Sequence, residues 1–170
     1  PYKMEVLSMR VFVVGGAGYI GSITSTHLLQ ANHSVIVLDN LSTGHLQAVP
    51  PGAKFELVDI SDKIQLNSLF EQYRPDVVMH FAASSLVGQS MYNPIEYFRN
   101  NTVNTLNLLE CMVDHGVKKF VFSSTAAVYG TAKHGLAVEN RNLDPMSPYG
   151  TSKLCSEQIL RWFDCAYGIR

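Results

Sequence analysis

VFVVGGAGYIG, residues 11–21, decides the fold. Val11 to Val14 is a short apolar run that reads as a buried strand, and it ends directly in glycines. Glycines 15, 18 and 21 permit a tight turn, close approach of backbone to a diphosphate, and close packing of the helix that follows. That helix is predicted over 19–31, with Ile20, Ile23, His27 and Leu28 on one face. Working outward, further strands are predicted at 34–38, 54–58, 76–81 and 119–123, with 40–52 as a loop. Helices are predicted at about 62–73, from Pro94 to about His115 with Gly116 as its stop, and from Ser147-Pro148 to about 166. Continuous apolar strands alternating with helices indicate an α/β fold: a Rossmann-type, doubly wound parallel sheet of order 3-2-1-4-5.

Composition narrows the function. The chain has 170 residues, one domain's worth, and a net charge of -1. Only 16% of residues are charged, against roughly 25% in an average domain, so much surface is buried in a core or an interface. Near-neutral charge argues against a nucleic-acid partner, and no apolar run reaches a membrane span. Cys111, Cys155 and Cys165 form no CxxC pair and the six histidines show no ligand spacing, so no metal site is expected. No secretory leader is seen, which points to a cytoplasmic protein. Residues 1–9 read as an N-terminal extension or cloning scar, with Met4 and Met9 as possible starts.

Three further features carry chemistry. Asp39 ends the second strand, where a carboxylate accepts hydrogen bonds from an adenosine ribose; the alternative is a solvated loop cap. It would repel a 2′-phosphate, and no Lys or Arg follows until Lys54, which favours NAD over NADP. Asp59, after the third strand, is placed either to meet an adenine amino group or as an ordinary loop residue. Tyr149 and Lys153 are four apart at the start of the last helix, on one face. A phenol is a weak base at neutral pH, and a neighbouring ammonium stabilises its phenolate. Thr125, just past the fifth strand, offers a hydroxyl at the sheet edge where ligands of such folds bind, or simply caps a turn.

Together GGAGYIG (15–21), LDNLSTGH (38–45), Asp59-Ile60, HFAASSLVGQS (80–90), NPIEYFRNN (93–101), FSSTAAVYG (122–130) and SPYGTSK (147–153) resemble the extended short-chain dehydrogenase/reductase family. The likeness runs from about Arg10 to the end, and within the family it is nearest to the nucleotide-sugar 4-epimerases. It implies NAD as a resident oxidant and a UDP-hexose substrate, interconverting UDP-galactose and UDP-glucose through a 4-keto sugar with no net oxidation. It implies Tyr149 as acid/base, Lys153 as its electrostatic partner, and Thr125 as a substrate-facing hydroxyl. For the cofactor it implies Gly15, Gly18, Tyr19, Ile20, Gly21, Asp39, Asn40, Ser42, Thr43, Gly44, Asp59, Ile60, Phe81, Ala82, Ala83, Ser84, Asn100 and Ser123, with Tyr149 and Lys153.

The alternatives are another nucleotide-sugar enzyme of the family, a 4,6-dehydratase or decarboxylase, and a non-catalytic NAD-binding fragment. Dehydratases carry Asp-Glu after the Thr, and decarboxylases often keep a Glu there; here Ala126 and Ala127 supply only methyls. Smaller departures are Val14 before the glycines, Ser84-Ser85 where some epimerases have Leu-Lys, and the absence of Gly from 102–105. The family's sheet has a sixth strand, expected where this chain stops at Gly168-Ile169-Arg170. The expectation is therefore the NAD-binding half (10–170), without the UDP-gripping domain, keeping fold and cofactor affinity but little activity. The resemblance also implies a homodimer through the helices bearing Ile95, Phe98, Leu106 and Leu109, and Leu154, Ile159 and Trp162.

Overall fold

A computed structural model describes residues 7–131 and 138–170; Met4 and His134 lie outside them. Five parallel strands, β1 (Arg10–Val14), β2 (Ser34–Asp39), β3 (Lys54–Leu57), β4 (Val77–His80) and β5 (Lys119–Phe122), form one sheet in the order β3-β2-β1-β4-β5. The expected strand order is the observed one. β1 lies centrally, pairing Val11–Val14 with Val35–Leu38 on one side and Val77–His80 on the other. Its residues 11–14 are all buried because helices cover both faces. One core layer gathers Phe12, Ile36, Leu66, Phe70, Val78, Leu108 and Met112; the other gathers Val11, Val13, Val35 and Val37.

The helices are α1 (Tyr19–Gln30), α2 (Lys63–Tyr73), a short α3 (Val87–Ser90), α4 (Pro94–Phe98), α5 (Asn104–Asp114) and α6 (Pro148–Tyr167). α1 departs from expectation in the face it buries. Gly21 and Ser25 face the sheet, with Leu28 and Leu29 half-buried, while Ile20 and Ile23 are 54% and 44% exposed. The reason is closeness: a Cβ on Gly21 would stand 2.3 Å from the Gly15 carbonyl oxygen, so only small residues fit beneath this helix. The single helix expected from Pro94 to His115 is interrupted by a π-helical turn, Arg99–Val103. Such turns insert one residue and rotate the following face; here the turn carries Asn100 and Asn101 to the sheet edge.

α6 starts and stops as its sequence dictates. The Ser147 hydroxyl accepts from Gly150 N–H at 3.1 Å, Pro148 follows at the first position, and Gly168 closes the helix in the left-handed region. Beyond it, Arg170 exchanges backbone hydrogen bonds with Lys118 and Phe120, on the free edge of β5. Of the apolar helix residues singled out by sequence, Leu109 is in the core and Ile159 packs against it, whereas Ile95 (69%) and Trp162 (74%) face outward. No helix among the described residues is long and apolar enough to cross a membrane.

Candidate functional site

The carboxyl ends of β1, β2 and β4 open onto a cleft of about 520 Å³. The glycine turn forms its floor. Gly15 has φ +79°, and a Cβ there would lie 2.4 Å from Ala82 N, so any side chain would collide with the β4 loop. The Asp39 carboxylate holds the turn in place: one oxygen accepts from Ala17 N–H at 3.0 Å, the other from Leu41 N–H at 2.8 Å. His45 N–H bonds the Ala17 carbonyl at 3.0 Å, docking the 40–45 loop on the same turn. Asn40 donates to Asp59 at 2.7 Å. Burial pushes the Asp59 carboxyl up, but hydrogen bonds from Ser61 and Asn40 outweigh it and leave its pKa below the ordinary value.

The structure brings most of the expected cofactor residues to this cleft. Gly15, Gly18, Asp39, Asn40, Ser42, Thr43, Gly44, Ile60, Phe81, Ala82, Ala83, Ser84 and Asn100 all line it. Tyr19 and Ile20 stand at the exposed start of α1, and Gly21 lies buried beneath the turn. Ser123, Thr125, Tyr149 and Lys153 lie beyond these walls, past the end of β5 and on α6. Tyr149 approaches the cleft through Tyr97, a lining residue whose ring meets it edge-on at 6.4 Å.

The β5–α6 end has its own geometry. Lys153 is 2% exposed, and its ammonium lies 4.4 Å from the centroid of the Phe122 ring. It forms no ion pair among the described residues. Burial pulls its pKa down from 10.5 to about 8, with Glu157 opposing. Beside it His80 is buried; burial, and then the Lys153 charge, lower its pKa to about 3, so the ring is neutral. The Thr105 hydroxyl donates to the Asn101 carbonyl and therefore accepts from His80 Nε2, leaving Nδ1 without a partner. Thr125 caps the turn Ala126–Tyr129, accepting from Ala127 N–H at 3.1 Å, so the bland cap role is real. Its hydroxyl proton is not used by that bond and is available to an incoming oxygen.

Sequence reasoning missed several residues. Ser85, Leu86, Gln89, Glu96 and Tyr97 also line the cleft. Tyr97 is fully buried yet reaches the site, its hydroxyl donating to the Leu86 carbonyl at 2.7 Å. Asn101 grips residue 84 by both backbone groups, at 2.8 and 2.9 Å. Its signal was the Asn pair, but the π-turn that aims it has no sequence signature here. A larger hollow of about 1090 Å³ lies at the opposite end of the sheet, around Arg10, Arg74 and Lys118. It is wide and holds none of these groups, so the glycine cleft is the chemical candidate. Among the described residues no three His, Cys, Asp or Glu side chains gather as a metal site.

Comparison with known proteins follows the same residues. The family model described as "NAD dependent epimerase/dehydratase family" matches residues 11–170. UDP-glucose 4-epimerase of Lacticaseibacillus casei is 50% identical over 162 residues, which span 95% of this chain and 49% of that protein. The crystal structure of UDP-glucose 4-epimerase from Brucella ovis in complex with NAD matches with TM-score 0.92 at 40% identity, over 96% of this chain and 50% of that one. That from Bifidobacterium longum in complex with NAD+ and UDP gives 0.87 at 39%, over 92% and 49%. The chain thus spans about half the length of the curated relatives it matches. With its glycine turn, sheet order and family match over residues 11–170, the chain belongs to the NAD dependent epimerase/dehydratase family.

Proposed function

We propose that residues 10–170 are the NAD-binding unit of a UDP-glucose 4-epimerase and carry its proton-transfer groups. The observation that carries this reading is the convergence on one sheet edge of the glycine cradle, closed to any Cβ at Gly15 and Gly21, with a buried Lys153 that makes no direct ion pair among the described residues. The cradle fits a dinucleotide. The turn's N–H groups and the start of α1 face a diphosphate. Asp39 keeps carboxylate lone pairs for ribose hydroxyls, which favours NAD over NADP. Asn40, Asp59 and Ile60 would hold the adenosine end, and Phe81 to Ser84, Asn100 and Ser123 the nicotinamide end. Relatives solved with NAD, and with NAD+ and UDP, support this choice.

Bound NAD supplies a hydride acceptor for sugar C4. Tyr149 takes the proton from the sugar O4 hydroxyl as its phenolate and later returns it. Lys153, a cation in a poorly solvated place, stabilises that phenolate and holds a ribose hydroxyl. Thr125 donates a hydrogen bond to the reacting sugar oxygen. Ala126 and Ala127 cannot move protons, which favours epimerisation over dehydration.

The test is NAD binding by calorimetry, then conversion of UDP-galactose to UDP-glucose. Micromolar or tighter binding, lost in Asp39→Ala, is expected; absence of binding by the wild-type chain overturns the reading. Where the wild-type chain converts the sugar, an undiminished rate in Tyr149→Phe would remove the proton-transfer assignment. We also propose a homodimer through the outward face of α4 and α6, bearing Ile95 and Trp162; a monomer mass by light scattering refutes it. The three free thiols fit a reducing compartment, the cytoplasm.

A further inference from the structure

Glu157 lies one helical turn beyond Lys153 on α6 and is half-buried. Its carboxylate accepts a hydrogen bond from the Ser124 hydroxyl. Ser124 is the second residue after β5 and precedes Thr125, the cap of the 126–129 turn. A second contact joins the same elements at the start of α6: a Cβ on Gly150 would lie 2.9 Å from the Ala127 carbonyl oxygen. Residues 150, 153 and 157 recur at helical spacing on one face. Lys153 is therefore placed between two points at which α6 touches the segment carrying Thr125.

The charge pattern points to the same residue. The charged and titratable groups that bear on the Lys153 ammonium are His80 from β4 and Glu157 from α6; Tyr129 of the 126–129 turn faces Glu157, and Tyr149, one turn before Lys153, meets Tyr97 of α4. His80 is neutral, and Glu157 is the carboxylate that favours the lysine's charged form. A glutamine would satisfy the Ser124 hydroxyl equally well, so the hydrogen bond alone does not call for a carboxylate.

We propose that Glu157 is a positioning residue, which through Ser124 locks the Thr125 turn against α6 and supplies the counter-charge of Lys153. This rests on the reading of Thr125, Tyr149 and Lys153 as the reacting side chains. Two variants separate the two roles. Glu157→Gln keeps an acceptor for Ser124 and removes the charge. Ser124→Ala removes the bond and keeps the charge.

The experiment follows the Lys153 side-chain resonance, assigned by its loss in Lys153→Met, through a pH titration of the 170-residue chain labelled with 13C,15N-lysine. NAD affinity is measured on the same samples, with folding checked by circular dichroism. Glu157→Gln should lower the Lys153 midpoint by about half a pH unit, since i,i+4 neighbours have Cβ atoms about 6 Å apart and unit charges at that range couple to about that extent even in water. Ser124→Ala should leave the midpoint in place and weaken NAD binding roughly threefold or more, the scale of one lost hydrogen bond, because the segment it frees includes Ser123, assigned above to the cofactor. An unmoved midpoint in Glu157→Gln overturns the counter-charge, a change that loss of packing alone would not produce. Unchanged NAD affinity in Ser124→Ala overturns the lock, and decides alone if Glu157→Gln does not fold. A wild-type chain that binds no NAD overturns the epimerase reading instead, while the lysine titration still reports on Glu157.

Discussion

Replacing Lys153 by methionine should make the chain more stable, although it removes a group the proposed chemistry needs. Methionine keeps the length and apolar stem and deletes the ammonium. In the folded chain burial holds the lysine's pKa at about 8, against 10.5 as its ordinary value. That gap corresponds to roughly 3 kcal/mol of folding free energy lost once the pH is below both values. The contact with the Phe122 ring, 4.4 Å from the ammonium to the ring centroid, returns about 1–2 kcal/mol of it. The net expectation is a gain of about 1–2 kcal/mol at pH 7 for Lys153→Met, a sizeable share of the roughly 5–15 kcal/mol that holds a domain together. The sign fixes the pH window. Between about 8 and 10.5 the unfolded chain binds a proton at Lys153 that the folded chain does not, so wild-type stability rises with pH there and the advantage of the variant shrinks. Urea unfolding followed by circular dichroism at pH 7 and pH 10 measures both. A variant less stable than wild type at pH 7, or an advantage that does not change with pH, would refute the idea that this lysine is held at a cost.

The remaining predictions concern the scaffold. Gly21→Ala should cost roughly 3 kcal/mol or more and abolish NAD binding, since its Cβ would meet the Gly15 carbonyl oxygen at 2.3 Å; unfolding and calorimetry on one sample check it. His80 should make the chain acid-labile: its folded pKa of about 3 lies below the ordinary 6.5, so stability is lost as pH falls through that interval, by up to about 5 kcal/mol. His80→Gln should flatten that limb of the pH–stability curve. Phe70→Ala should cost about 3–5 kcal/mol in urea unfolding, because Phe70 is fully buried with its ring edge-on to Phe12 at 5.1 Å.

How much was legible follows from how local each cause is. Val11 to Val14 and the glycines form one strand–turn–helix unit whose order is set by neighbouring residues, and Asp39 closes the next strand, paired alongside β1. Ser147-Pro148 and Gly168 bound α6 for the same reason: capping is settled by residues within one turn. The buried face of α1 was not legible. Its hydrophobic pattern favoured Ile20 and Ile23, yet the approach of two backbones at Gly15 and Gly21 left room only for glycine and serine. The π-turn at 99–103 escaped because the Asn101 side chain it aims is held by the Ser84 backbone and the Ser152 hydroxyl, both distant in sequence.

By itself the sequence determined the α/β class, the strand order and the identity of the residues at the carboxyl edge of the sheet, since strand periodicity, turn glycines and helix caps are properties of neighbouring residues. Only the tertiary structure decided the state of those residues. Lys153 and His80 are placed side by side out of water by elements far apart in the chain, and Glu157 meets Ser124 only because α6 folds back over β5. Desolvation and long-range hydrogen bonding depend on what surrounds a group in space, and spacing along the chain carries no record of that.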